Sequence, residues 1–216
     1  LDAAWMSLKI AFLTACMSLV MGMLASLALV RLGRFRGKMS FAGMITAPLV
    51  MPEVITGLSL LLLFVAMEKS FGWPGGRGML TIWIAHVTFS TAFVTVILSS
   101  RLKEIDRSLE EAGMDLGASP LKVFFVITIP IITPALLAAW LLAFTLSLDD
   151  LVIASFVSGP GSTTLPMKVF SSVRLGISPK INALASIIIA LVSLGVLTAG
   201  WIIRGWERKK TLGITQ

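Results

Sequence analysis

Five stretches of this chain are long and apolar enough to cross a lipid bilayer, and that constrains its fold more than any other feature. About 20 predominantly apolar residues are needed per helical crossing. Residues 8–30, 41–67, 79–100, 131–157 and 181–203 each meet that length. The first is apolar apart from Lys9 and a few hydroxyls, and Arg31, Arg34, Arg36 and Lys38 follow it at once. The second is interrupted by Pro48 and Pro52 and carries Glu53. A short turn, EKSFGWPGGRG, leads to the third, and the fourth runs through Asp149-Asp150 to Val157. A Gly/Pro/Ser/Thr-rich loop, 158–180, holds an amphipathic piece (Leu165, Val169, Phe170, Val173) ahead of the fifth. No internal repeat or domain boundary interrupts the series. The expectation is an all-α integral membrane bundle in which 1–216 form one transmembrane domain. Small residues such as Gly22, Ala25, Ser26 and Ala28 should let its helices associate, because lipid gives them little hydrophobic reason to do so.

Composition agrees: only 13% of residues are charged and mean hydropathy is +0.95, against about a quarter charged in soluble domains. The net charge of +7 is not a nucleic-acid signal, because the basic residues sit in short loops beside spans; the bulk partner is membrane lipid. Arg31, Arg34, Arg36, Lys38, Arg101, Lys103, Arg107, Lys122, Arg204, Arg208, Lys209 and Lys210 fall on one side, twelve in all. Lys69, Arg77, Lys168, Arg174 and Lys180 fall on the other, so the first side is cytoplasmic by the positive-inside rule. Trp5, Trp73 and Trp83 near the outer boundary, and Trp201 and Trp206 near the inner one, fit interfacial belts. Cys16, the single cysteine, rules out an internal disulfide. The chain opens on Leu1 with no basic, cleavable leader, as a piece of a longer product would.

Between the third and fourth spans lies a polar island. LKEIDRSLEEAGMDL, 102–116, carries Leu102, Ile105, Leu109 and Ala112/Gly113 at helical spacing, which predicts a short amphipathic helix. Gly117 suits the left-handed residue that ends such a helix, and Ser119 then caps a second one. Pro120 sits at the first position of that helix, where no backbone donor is needed. Pro130 is expected to close the unit, a rigid elbow on the cytoplasmic side, with the coupling loop as a whole covering 101–129.

Glu111-Ala112-Gly113, then Gly117, then nine residues, then Ile127-Thr128-Ile129-Pro130 resembles the EAA loop (E-A-A-x3-G-x9-I-x-L-P) of permease subunits of ATP-binding-cassette importers. Gly113 replaces the second Ala and Ile129 the Leu, both small or apolar changes. In that family the loop inserts a coupling helix into a groove on a separate ATPase subunit. The resemblance thus implies a type I importer permease fold, and ATPase coupling through Glu111, Ala112, Gly113, Asp115, Gly117, Ser119, Pro120 and Pro130. Gly117 would act through its backbone turn, and Glu111 through contact with the ATPase or with its own helix N-terminus. With the N-terminus outside, one more helix ahead of residue 1 would restore the six spans of that family.

No catalytic constellation accompanies the motif. The glycine cluster Gly159-Pro160-Gly161-Ser162 lacks the Lys that would reach a phosphate. His86, the only histidine, has no Cys, Asp or Glu at metal-ligand spacing, so a neutral imidazole bonded across helices is expected. The chain is read as non-catalytic, with no metal or cofactor of its own and with ATP bound by the partner subunit.

Carboxylates at membrane depth cost on the order of 3 kcal/mol, so they face protein or a watery path. Glu53 is expected about twelve residues into the second span, near its middle, directly after Pro52. Asp149 and Asp150 follow Pro134 by about fifteen residues. Being adjacent, they point about 100° apart, so one lines the path while the other caps or pairs. Three carboxylates on a conduit favour a cationic substrate; the structural alternative is neutralisation by Arg174, Lys168 or a neighbouring subunit.

MITAPLVMPEVITGLSLLLLFVA (44–66), LLAFTLSLDDLVIASFVSGPGSTTLP (141–166) and VFSSVRLGISPKINALAS (169–186) are similar to the permease subunits of polyamine (putrescine/spermidine) importers, putrescine-type most of all. The similarity runs from about residue 30 to 200. It implies a bacterial inner-membrane assembly of two homologous permeases, two cytoplasmic ATPase subunits and a periplasmic polyamine-binding protein. In it the coupling loop and C-terminus are cytoplasmic, and the binding protein docks on loops 68–78 and 158–180. Two other readings stay open: an importer permease for iron, thiamine or a phosphonate, and a gradient-driven transporter of organic cations that needs no ATPase.

Overall fold

The computed structural model describes residues 2–174 and positions 183, 186, 190 and 193. The expected fifth span, 181–203, lies outside the described residues apart from those four single positions, and the basic tail lies outside them entirely. The chain divides into two compact units, Leu1–Lys168 and Val169–Gln216. The described residues are helix and connecting loop, with no strand among them.

In the first unit α1 (Asp2–Val30) is followed by α2 (Lys38–Val50), α3 (Glu53–Phe71) and α4 (Met79–Glu104). Next come two short helices, α5 (Arg107–Asp115) and α6 (Pro120–Val123), which lead into the long α7 (Ile129–Asp149) and the short α8 (Val152–Val157). α9 (Leu165–Arg174) occupies the expected amphipathic piece. Over its residues in the second unit, the Arg174 guanidinium stacks on the Phe170 ring at 4.8 Å.

Among the described residues, four helices are long and apolar enough to cross a membrane: Asp2–Val30, Glu53–Phe71, Met79–Glu104 and Pro120–Asp149. α4 is the centre, packing against α1, α2, α7 and α8. At one end α1, α4 and α7 bury Met23, Val94, Leu98, Leu102 and Ile132; at the other, α1, α3, α4 and α8 bury Ile10, Phe64, Ile82 and Ile153. Small residues set the α1–α4 spacing, as the sequence leads one to expect. A Cβ on Gly22 would stand 2.8 Å from Val94 Cβ and 3.2 Å from the Thr95 backbone nitrogen. Ala25 and Ser26 are buried beside it, while Ala28 is only half-buried.

Several expected boundaries move. The single second span at 41–67 is two helices, broken at Met51, which is extended (φ −78°, ψ 135°). The cause is Pro52: its ring disfavours the helical region for the residue before it. Pro48, by contrast, stays inside α2. α2 has 13 residues, about 20 Å of helix and too short for a crossing; none of its residues is buried. Glu53 is therefore not in the middle of a span but is the first residue of α3, where the helix dipole favours a carboxylate.

The expected helix 102–116 is also divided. α4 continues to Glu104, and Asp106 restarts the chain by accepting the Ser108 N–H at 3.0 Å. This bond holds the Asp106 carboxyl below the ordinary carboxylate range. Pro130 does not close the elbow. The helix runs on through it, because Phe124–Thr128 widen into a π turn in which the Ile129 N–H reaches back to the Phe124 carbonyl. A turn widened in this way eases the clash that a proline ring makes with the carbonyl four residues before it. The fourth span accordingly begins at Pro120 and ends at Asp149, short of the expected 157.

Candidate functional site

The elbow is built by local rules. Gly117 adopts φ +86°. Its N–H donates to the Met114 carbonyl at 2.9 Å, and the Ala118 N–H donates to the Gly113 carbonyl at 3.2 Å. These two bonds make a Schellman end, which needs a residue that tolerates the left-handed region. Ser119 Oγ accepts the Lys122 N–H at 3.4 Å and caps the next helix, with Pro120 as its first residue. Gly113 is the point of closest approach: a Cβ there would meet Ile127 Cδ1 at 2.7 Å and Val123 Cγ2 at 3.2 Å. The substitution of Gly for the second Ala of the motif thus lets α5 lie tightly on the π turn. Glu111, Ala112 and Asp115 are exposed. Leu116 is 89% exposed and Leu121 69%, so the tip of the elbow presents apolar side chains to its surroundings.

A brace fixes the elbow to the bundle. Glu110 Oε1 accepts from Arg31 Nη2 at 2.9 Å and from Thr128 Oγ1 at 2.9 Å. Arg107 Nη2 donates to the Val30 carbonyl at 3.1 Å, satisfying the end of α1. Arg31, Arg107, Glu110 and Glu111 help to line a groove of about 650 Å³ between α1 and the elbow. Both partners of the ion pair are mostly buried, with side chains 17% and 18% exposed. Breaking such a pair leaves a desolvated charge behind. Glu110→Leu is expected to loosen the elbow from the end of α1, raising the rate of proteolytic cleavage at the elbow roughly three- to tenfold after discounting for partial exposure. Arg31→Met should do the same and the double variant no more; additive increases in cleavage rate would contradict the brace.

The carboxylates separate. Asp150 turns the chain with an extended backbone (φ −64°, ψ 125°) between α7 and α8. Its Oδ1 accepts the Ile153 N–H at 3.2 Å and its Oδ2 the Ala154 N–H at 2.7 Å, so it caps α8. Its Oδ2 also lies 3.0 Å from His86 Nε2, and His86 Nδ1 lies 2.7 Å from Ser147 Oγ. The imidazole is 2% exposed. Asp149 ends α7, exposed, with no ion-pair partner among the described residues. Glu53 is likewise exposed and unpaired among them. It precedes Gly57 by one turn, and there α3 meets α8: a Cβ on Gly57 would stand 2.8 Å from Phe156 Cδ2 and 3.3 Å from Ile153 Cα.

The family described as binding-protein-dependent transport system inner membrane component matches residues 18–211. The chain belongs to that family. The permease is 63% identical over 210 residues to the putrescine transport system permease protein PotI of Escherichia coli (strain K12), which covers 97% of this chain and 75% of that protein. It is 40% identical over 215 residues to the spermidine/putrescine transport system permease protein PotC of the same organism, covering 100% of this chain and 77% of that one. With PotC of Haemophilus influenzae the identity is 41% over 191 residues, covering 88% and 72%. The fold is that of a chain in the crystal structure of an amino acid ABC transporter with histidines, at TM-score 0.58 and 20% identity, covering 96% of this chain and 92% of that chain.

Two elements of the permease site were not visible in its sequence. Glu110, not the motif's Glu111, makes the intramolecular contacts; Glu111 sits beyond the first turn of α5 and does not reach its own helix N-terminus. His86 meets Asp150 and Ser147 across 64 and 61 residues of chain, which no local pattern encodes. The expectation that one of the adjacent aspartates caps or pairs is met by Asp150.

Proposed function

We propose that this permease carries a polyamine, putrescine foremost, across the bacterial inner membrane by alternating access, powered by a separate ATPase. The observation that carries this reading is the 63% identity, over 97% of the chain, to a putrescine permease. Side-chain chemistry supports it. Glu53 at the start of α3 and Asp149 at the end of α7 are exposed carboxylates without cationic partners among the described residues. Fixed negative charge offsets the desolvation of a dication and repels anions. Both oxygens of Asp150 are engaged by the α8 backbone, which favours Glu53 and Asp149 as the groups that face the path.

The engine is a pair of ATPase subunits that bind and hydrolyse ATP on the cytoplasmic side and receive the coupling loop, 101–129, in a groove. The uncovered apolar tip at Leu116 and Leu121 suits such a seat. A homologous second permease completes the path, and a periplasmic polyamine-binding protein delivers substrate to loops 68–78 and 158–180. The excess of Arg and Lys beside the elbow and in the tail favours a cytoplasmic elbow and C-terminus.

The test is uptake of labelled putrescine by the complete complex in proteoliposomes. Uptake should require ATP and the binding protein, and excess spermidine should compete where thiamine or a phosphonate does not. Putrescine uptake driven by an ion gradient without ATPase would overturn the mechanism, and competition by an anion alone would overturn the substrate.

A further inference from the structure

We propose that His86 is a positioning residue that sets Asp149 toward the substrate path. The inference rests on the reading that Asp149 faces that path. Asp149 is the last residue of α7, and its carboxylate meets no ion-pair partner among the described residues, only its own backbone N–H. Its flanking residues, however, are both tied to one ring. Ser147, two residues before it, lies 2.7 Å from Nδ1, and Asp150, directly after it, lies 3.0 Å from Nε2. An ionised carboxylate only accepts, so Nε2 carries its hydrogen toward Asp150; Nδ1 then accepts from the Ser147 hydroxyl when the imidazole is neutral. His86 stands on α4, the helix at the centre of the bundle.

Asp150 is itself fixed on its far side by the Ile153 and Ala154 N–H groups of α8. One imidazole therefore clamps the last turn of α7, the extended residue after it and the cap of α8 to a single buried point. That clamp holds the backbone on both sides of Asp149, at Ser147 and at Asp150, and so limits the directions its side chain can take. Removing the ring leaves the Ser147 hydroxyl and one Asp150 interaction unmet in a buried place, and the break can rotate to find other partners.

The test uses the full chain assembled with its partner subunits and labelled putrescine as the probe. His86→Leu is expected to raise the KM for putrescine about tenfold, the scale of one lost hydrogen bond to a charged group, and to lower the maximal rate far less. His86→Gln keeps a donor directed at Asp150 and should recover most of the loss. In an Asp149→Asn background, His86→Leu should add nothing further. A purely structural histidine predicts otherwise: a fall in maximal rate, no rescue by Gln, and losses that add to those of Asp149→Asn. Any of these overturns the proposal, as does an unchanged KM in His86→Leu. Should His86→Leu fail to assemble, Ser147→Ala, which removes one of the two ties, must raise KM in the same direction and lose its effect in the Asp149→Asn background. If Asp149→Asn alone leaves KM unchanged, the path reading fails. If Asp149→Asn is impaired and His86→Leu is not, only the positioning role fails.

Discussion

Gly117→Val is expected to cut uptake about tenfold or more and to abolish stimulation of the ATPase by loaded binding protein, while membrane insertion persists. Gly117 holds φ +86°, a region that costs an L-residue roughly 1–2 kcal/mol, and a β-branched one more. Each 1.4 kcal/mol is about a tenfold shift in population. The Val variant would relieve the strain by undoing the paired bonds from Gly117 to Met114 and from Ala118 to Gly113. That would swing α5 away from Ser119 and the π turn. Nothing lies within 4 Å of a Cβ at Gly117, so any loss comes from backbone conformation and not from crowding. Gly117→Ala, without the branch, should lose less than Gly117→Val. Uptake and ATPase rates in the assembled complex, at matched protein level, decide the matter; a Val variant that transports at the parental rate would remove the elbow from the coupling route.

Asp149→Asn should reduce putrescine uptake about tenfold or more, mainly through KM, while the assembled complex still hydrolyses ATP. The substitution keeps size, removes the charge and turns one acceptor oxygen into an amide donor. At an effective dielectric of about 20, a carboxylate within 4 Å of an ammonium is worth about 4 kcal/mol before solvent screening. Exposure at this position reduces that figure, so a loss of one order of magnitude is the scale to look for. Asp149→Glu should recover part of it. Kinetics at several putrescine concentrations separate a binding effect from one on turnover.

What the sequence made legible follows local rules. Gly117, Ser119 and Pro120 behave as expected because turn and cap chemistry is decided within a few residues. The apolar helices follow from hydropathy alone, but their ends do not. A hydropathy average runs across Met51 without registering the bend that Pro52 forces on it, so α2 and α3 merge and Glu53 is moved inward. Pro130 misleads in the opposite direction, since the widened turn before it is not encoded by any residue type. The partition between Asp149 and Asp150 needed a contact from α4, and the choice of Glu110 over Glu111 needed one from the end of α1. Such pairings belong to the packed bundle and leave no trace in spacing.

The uninterrupted passage through Pro130 has a mechanical consequence. Pro120–Asp149 run as one continuous helical stretch of 30 residues, about 45 Å long, with the exposed apolar tip near one end and the acidic terminus at the other. A tilt of about 5° pivoting at one end displaces the opposite end by about 4 Å over that length, enough to change which neighbour a carboxylate can touch. On the proposed coupling route, a displacement at the tip would reach the acidic end through helix backbone, with no relay of side chains.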